Sequence, residues 1–178
     1  MKNKALKKLT TTAMLSAIAL ILGYFAFPIF PQVPFLEYDL CDVAVLIASF
    51  SFGPVYALCS SFIVATFQAF FLDKSGIYGF VMNIISTSAL VLPAAIIYVK
   101  SKTKKTAVIG LSVGVLFMTA VMVAFNYLVT PHFMGVDVTV IHTLMPFIAL
   151  FNFIKATANS IITFLVYKHI GKLIKKFN

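Results

Sequence analysis

The segment PFLEYDLCDVAVLIASFSFGP, residues 34–54, combines a dense group of charges with a long apolar run. It contains three of the five acidic residues in the chain, namely Glu37, Asp39 and Asp42. The apolar run covers residues 43–52, and the Gly53-Pro54 pair after it favours a tight turn. Carboxylates placed beside so apolar a run indicate a polar lid on a body that lies within a membrane.

The composition of the whole chain supports this reading. Of its 178 residues, 61% are hydrophobic and 11% are charged, whereas a soluble domain averages about 45–50% apolar and about 25% charged residues. At about 20 residues per spanning helix, the length allows about five or six spans and no separate soluble domain. We therefore predict an all-α fold, an integral membrane six-helix bundle in which residues 1–178 form a single transmembrane domain.

Six apolar stretches have the spacing of membrane helices. We expect them at about residues 9–27, 43–52, 55–72, 77–99, 106–130 and 144–167. The second stretch is short for a full crossing unless it begins inside the acidic segment before it. A Pro-rich loop and that acidic segment together form the lid, residues 28–42. Further loops are expected at residues 73–76 and 131–143.

The lysines predict the orientation in the membrane. Four lie before residue 9, four between residues 100 and 105, and four after residue 167. With six spans these three segments share one face, while all five carboxylates fall on the other. Because cytoplasmic loops collect positive charge, both termini should be cytoplasmic and the lid extracellular. The net charge of +9 is therefore explained by topology, and we predict no nucleic-acid partner.

Lys155 is the most informative single residue, because it lies near the middle of the sixth span. A charge at the centre of a spanning helix costs about 2.5–3.5 kcal/mol on insertion scales, and such residues usually face a cavity or a partner. Asn152 and Asn159 lie on the same helical face as Lys155. This polar stripe predicts a pocket. The alternatives are a lysine that reaches the headgroups and a polar cluster that joins helices.

Two further amides fall inside apolar spans, Asn83 in the fourth and Asn126 in the fifth. Each could simply bond a neighbouring helix. Together with Lys155 and Asn152, they could instead supply fixed donors and acceptors for a planar heterocycle with apolar walls on its faces. The lid carboxylates likewise have two readings, as ligands of a polyhydroxyl chain or a cation, or as a solvated outer loop.

The first span carries small residues four positions apart, Ala13 and Ala17. Such spacing lets another helix approach closely, either within this chain or from another subunit. The chain lacks a phosphate-binding loop and the H-E-x-x-H and G-x-S-x-G motifs, and its three histidines are scattered. We therefore predict no enzyme activity, no catalytic residues, no bound metal and no resident cofactor.

Several of these pieces resemble one known family. They are the Leu36–Val43 stretch with Phe52-Gly-Pro, Asn83, Val91-Leu-Pro-Ala, Phe125-Asn-Tyr with Pro131, Pro146-Phe, and Asn152-Phe-Ile-Lys. The chain is similar to the riboflavin-binding S component of energy-coupling factor (ECF) vitamin transporters, over almost its whole length. It departs from the family pattern at Cys41, Ala44, His132 and Ala156.

The resemblance implies a substrate-binding domain in the bacterial cell membrane, with a vitamin site near the outer face under the lid. Asn126, Asn152 and Lys155 would hydrogen-bond the flavin ring, and Asn83 is a weaker match. Leu36, Tyr38 and Asp39 would contact the ligand, with Asp39 near the ribityl hydroxyls. Ala13 and Ala17 would meet a transmembrane coupling subunit, which works with two cytoplasmic ATPases.

The resemblance leaves the ligand partly open. Riboflavin is the expected transported ligand, and flavin mononucleotide (FMN) is a further candidate. Two alternatives to riboflavin transport are an S component for another vitamin, such as thiamine or pantothenate, and a membrane helper protein with no small-molecule ligand.

Overall fold

The computed structural model describes residues 2–72 and 76–174. Within these residues six helices form a bundle: α1 (Lys2–Gly23), α2 (Cys41–Phe52), α3 (Pro54–Phe67), α4 (Gly76–Ser101), α5 (Lys104–Met134) and α6 (Val138–Ile174). A short π-helical segment, Gln68–Leu72, extends α3. The predicted all-α six-helix bundle is confirmed. The loop of Asp73, Lys74 and Ser75 and the tail lysines Lys175 and Lys176 lie outside the described residues.

Helix α2 is the centre of the bundle. It has 12 residues, of which ten are buried, and it packs against α1, α3, α4 and α6. At about 1.5 Å per residue its length is about 18 Å, which is shorter than the roughly 30 Å of a bilayer core. The other five helices, with α3 counted through the π-helical segment, are long and apolar enough to span. The second of the six expected spans is therefore shorter than the other five and is largely buried against four of them.

Several predicted boundaries were wrong, including the end of α6, which continues past residue 167 to Ile174. The loop expected at residues 131–143 is short, because α5 continues through Pro131 to Met134 and α6 begins at Val138. Gly135 ends α5 in the left-handed region at φ 64°, which glycine adopts without steric cost, and its backbone N–H donates to the Pro131 carbonyl oxygen. The first helix begins before residue 9 and ends at Gly23 rather than at residue 27.

The lid lies between α1 and α2. Two-residue strands β1 (Phe27–Pro28) and β2 (Glu37–Tyr38) pair antiparallel and close its base, with Phe27 opposite Tyr38. Between these strands, Val33 is fully buried in an apolar cluster with Ile141 and Ile148 of α6. The lid is thus fastened to the first part of α6 by apolar contacts. Its last two residues, Cys41 and Asp42, belong to the first turn of α2.

Helices α4 and α5 approach each other closely because α5 carries glycines four residues apart. A Cβ atom built on Gly110 would lie 2.8 Å from the Ala94 carbonyl oxygen, and one on Gly114 would collide with the Leu90 carbonyl oxygen. Each neighbouring atom is backbone, so it cannot rotate away as a side chain could. This small-residue contact fixes the separation of two helices that also carry cavity residues.

We therefore expect Gly114→Val to destabilise the protein, since overpacking at a close helix contact costs about 1–3 kcal/mol or more. Thermal unfolding in detergent should show Tm lowered by about 5–10 °C. The matched control is Ser112→Ala on the exposed side of the same helix turn, which should leave Tm within about 2 °C. An unchanged Tm for Gly114→Val would contradict the close packing of α4 and α5.

Candidate functional site

A cavity of about 430 Å³ lies beneath the lid, between α4, α5 and α6. Its volume is within the range of small-molecule sites, about 300–1,000 Å³. The polar side chains that line it are Glu37, Asp39, Gln68, Asn83, Ser86, Asn126, Thr130, Asn152 and Lys155. Apolar walls come from Phe35, Leu36, Tyr78, Met82, Met122, Val129, Phe133 and Phe151. Six of the seven residues predicted as ligand contacts therefore surround one space: Leu36, Asp39, Asn83, Asn126, Asn152 and Lys155.

Lys155 and Asp39 form an ion pair at the cavity wall. The Lys155 Nζ atom lies 2.7 Å from the Asp39 Oδ2 atom, and each side chain is about one-tenth exposed. The Cys41 backbone N–H donates to the Asp39 Oδ1 atom at 2.8 Å. Burial raises the pKa of the Asp39 carboxyl, but the Lys155 ammonium and the Cys41 N–H outweigh it, so the pKa is held below its usual value. Asp39 is therefore an ionised lid residue that faces a spanning helix.

The two asparagines are oriented by their own helices. Asn126 Nδ2 donates to the Met122 carbonyl oxygen, and Asn152 Nδ2 donates to the Ile148 carbonyl oxygen, both at 2.8 Å. Thr130 donates a further hydrogen bond to Asn126 Oδ1 at 2.9 Å. Each Nδ2 keeps one N–H for another acceptor, and no described residue donates to Asn152 Oδ1. The pair therefore presents two donors and one acceptor in fixed positions.

A second polar group lies where α1 meets the π-helical segment. Gln68 Nε2 donates to the Cys41 sulfur at 3.1 Å, and Asn83 Nδ2 donates to Gln68 Oε1 at 3.4 Å. The Cys41 thiol in turn donates to the Ala19 carbonyl oxygen at 3.0 Å. Gln68 was missed in the sequence, although it is a polar side chain inside the third apolar span, which is itself a signal of function. Short π-helical segments often occur at functional sites.

Tyr38 is the one predicted ligand contact that does not line the cavity. Its hydroxyl donates to Asn159 Oδ1 at 3.1 Å, and its ring packs against Phe27. Asn159 is fully buried one turn below Lys155 and also donates to the backbone oxygen of Asp39 at 3.0 Å. The polar face of α6 therefore serves both the cavity and the lid.

The small residues of α1 divide between two faces. Ala13 and Ala17 are exposed, whereas Ser16 is buried and shares a 2.7 Å hydrogen bond with Ser60 of α3. Packing within this chain therefore uses the Ser16 face and leaves the Ala13 and Ala17 face open. Among the residues that the structure describes, no three His, Cys, Asp or Glu side chains form a group that could hold a metal.

Several known proteins are similar to this chain over much of its length. The riboflavin transporter RibU of Staphylococcus aureus (strain TCH60) is 29% identical over 181 residues, which cover 96% of this chain and 93% of RibU. The riboflavin transporter FmnP of Bacillus subtilis (strain 168) is 33% identical over 124 residues, 68% of this chain and 65% of FmnP. Both relatives are transport proteins.

The fold has a match of the same kind. A solved structure, described as the S component of a bacterial ECF transporter, superposes with a TM-score of 0.83 at 31% identity, covering 95% of this chain and 98% of that one. The family model of the ECF transporter substrate-specific component matches residues 7–167. The chain therefore belongs to the family of ECF transporter substrate-specific components.

Proposed function

We propose that this chain is the membrane subunit that binds riboflavin for an ECF-type vitamin importer. One observation carries the proposal: Lys155, Asn126 and Asn152 converge on a single cavity beneath the lid. The riboflavin transporters among its relatives support the choice of vitamin. The family and the absence of any recognisable catalytic motif argue for a binding subunit rather than an enzyme.

The cavity chemistry suits the flavin ring. One edge of the ring alternates carbonyl oxygens with an N–H, so it needs neighbouring donors and an acceptor in one plane. Asn152 offers an acceptor and a donor, and Asn126 offers a second donor. The Lys155 ammonium has three N–H groups, of which one is directed to Asp39, so it can also donate to a ring oxygen. Aromatic and aliphatic walls such as Phe133 and Met82 suit the faces of the ring.

The lid suits the ribityl chain. Asp39 and Glu37 line the cavity from above, and a carboxylate accepts hydrogen bonds from hydroxyl groups. Leu36, also in the lid, adds an apolar contact. Tyr38 would affect ligand binding indirectly, by holding the lid in place, because its hydroxyl is directed to Asn159 and away from the cavity.

The proposal also includes orientation and partners. The lysine distribution supports two cytoplasmic termini and an extracellular lid in the bacterial cell membrane. The chain has no phosphate-binding loop of its own, so net uptake needs energy from separate ATPase subunits. We assign Ala13 and Ala17 to the surface that meets a transmembrane coupling subunit, which would connect this chain to two cytoplasmic ATPases.

The decisive test is to titrate the purified chain with riboflavin, FMN and thiamine. Binding is detected by the quenching of flavin fluorescence or by calorimetry. Riboflavin should bind with a sub-micromolar Kd. Asn152→Leu should raise that Kd about 10- to 100-fold, because the flavin edge would lose its hydrogen-bond partners in a dry site.

The control for that variant is Thr119→Val, since the Thr119 hydroxyl donates to its own helix at Val115 and does not line the cavity. Its Kd should remain within about twofold of the unaltered chain. Tighter binding of thiamine than of riboflavin, or an unchanged Kd in Asn152→Leu, would contradict the proposed site.

A further inference from the structure

We propose that Asn159 is a positioning residue that holds the lid closed and thereby sets how slowly a bound ligand leaves. Asn159 does not line the cavity, so this role is distinct from direct ligand contact. The lid role follows from contacts within this chain. Only the identity of the departing ligand rests on the proposed function.

The side chain of Asn159 uses both ends of its amide on the lid and the first turn of α2. Its Oδ1 accepts from the Tyr38 hydroxyl at 3.1 Å. Its Nδ2 donates to the Asp39 backbone oxygen at 3.0 Å and to Asp42 Oδ2 at 3.3 Å. These three hydrogen bonds, which we call the latch, join α6 to residues about 120 positions away in the sequence.

The latch is rigid on its α6 side. Asn159 has no exposed surface, and Asp42 is held from the other side by the Thr87 hydroxyl at 2.7 Å. Because water does not reach the Asn159 amide, each hydrogen bond that opens leaves one of its donors or its acceptor without a partner. The latch should therefore open as a unit with the lid.

The lid has a second, apolar attachment at Val33, which is buried against Ile141 and Ile148. The two attachments differ in what breaks when they open. The Val33 contact is non-directional, so it can re-form in slightly different positions. The latch requires defined geometry at Tyr38 and Asp39, the part of the lid nearest to Lys155. It therefore decides whether the Asp39 carboxylate is presented to the cavity.

A kinetic prediction distinguishes this role from ligand contact. A bound ligand leaves only when the lid opens, so weakening the latch should raise koff. A ligand enters only while the lid is open, so weakening the latch should also raise the association rate constant, whereas loss of a direct ligand contact would raise koff alone. Lost hydrogen bonds of this kind correspond to about a 10- to 100-fold increase in koff for Asn159→Ala, and the association rate constant should rise with it, by up to about tenfold.

The first experiment needs no ligand. Hydrogen–deuterium exchange of the purified, ligand-free chain should show faster exchange in Asn159→Ala at the amides of residues 36–41, by about tenfold. The control is Ser160→Ala, which alters an equally buried neighbour whose hydroxyl has no hydrogen-bond partner among the described residues. This control should exchange like the unaltered chain.

The second experiment measures riboflavin kinetics by stopped-flow fluorescence. Tyr38→Phe removes one hydrogen bond of the latch at a half-buried position, so the fold is retained, and koff should rise about two- to fivefold. In the double variant Tyr38→Phe with Asn159→Ala, koff should equal that of Asn159→Ala alone, because both changes break the same bond.

The outcomes separate the two proposals. Unchanged exchange in Asn159→Ala, or multiplied koff effects in the double variant, would overturn the latch even if riboflavin binds. Faster exchange in a chain that fails to bind riboflavin would support the latch and overturn the choice of vitamin. Should Asn159→Ala fail to fold, Tyr38→Phe decides by itself, since unchanged lid exchange and unchanged koff in that variant would overturn the latch.

Discussion

Lys155→Ala should weaken riboflavin binding by about 10- to 100-fold. The substitution removes a proposed ring donor and leaves the Asp39 carboxylate buried with no cation at 2.7 Å. A hydrogen bond to a charged group contributes about 1.5–3 kcal/mol, and about 1.4 kcal/mol corresponds to a factor of ten in affinity. Fluorescence titration of the purified variant measures the change directly.

The unpaired Asp39 carboxylate also destabilises the fold, by about 3–5 kcal/mol, and a double variant separates this effect from the loss of binding. Lys155→Met with Asp39→Asn removes both charges while keeping similar volumes, so Tm should recover toward that of the unaltered chain. Riboflavin affinity should remain low, because the donor to the ring is still absent. The surface substitution Lys100→Ala is the control and should change neither quantity. Recovery of tight binding in the double variant would show that Lys155 serves only the fold.

Ala17→Trp should reduce riboflavin uptake to background while leaving riboflavin affinity unchanged. Ala17 is exposed on α1, and an indole there would prevent the close approach of another helix. Ala13→Trp should behave alike. Uptake is measured with labelled riboflavin in cells that also produce the coupling and ATPase subunits, and assembly by co-purification of the coupling subunit.

The matched control is Leu116→Trp, which places the same bulky side chain at a position of α5 that is 64% exposed. That variant should assemble with the coupling and ATPase subunits and should transport riboflavin normally, because an apolar ring that faces lipid costs little free energy. Normal uptake in both alanine variants would remove the docking assignment. Loss of uptake in the control as well would show that the indole acts through the bilayer and not through a subunit contact.

Periodicity and composition were sufficient for the main helices. Apolar stretches near 20 residues predicted five long helices, although α1 begins earlier than expected, α6 is longer at both ends, and α5 continues through Pro131. The prediction failed there because a proline can remain inside a helix when neighbouring groups compensate. In α5 the helix stops at Gly135, a stronger terminator than the proline.

The mid-span position of Lys155 pointed to the cavity before any contact was known, because an isolated charge in an apolar helix needs a polar environment. Its partner could not be inferred in the same way. Glu37, Asp39 and Asp42 are close in the sequence, and all three are lid carboxylates. Only the path of the lid over α6 brings Asp39 to Lys155 and turns Tyr38 toward Asn159.

The sequence by itself therefore determined that this chain is a membrane bundle with a polar pocket in its last helix, since burial of charge and helix length obey local rules. The tertiary structure alone decided which carboxylate neutralises Lys155, how Gln68 reaches the cavity and why Asn159 faces the lid. Those contacts join residues far apart in the chain, 116 positions in the case of Lys155 and Asp39. Their geometry is fixed by how the helices pack, which no local pattern of residues specifies.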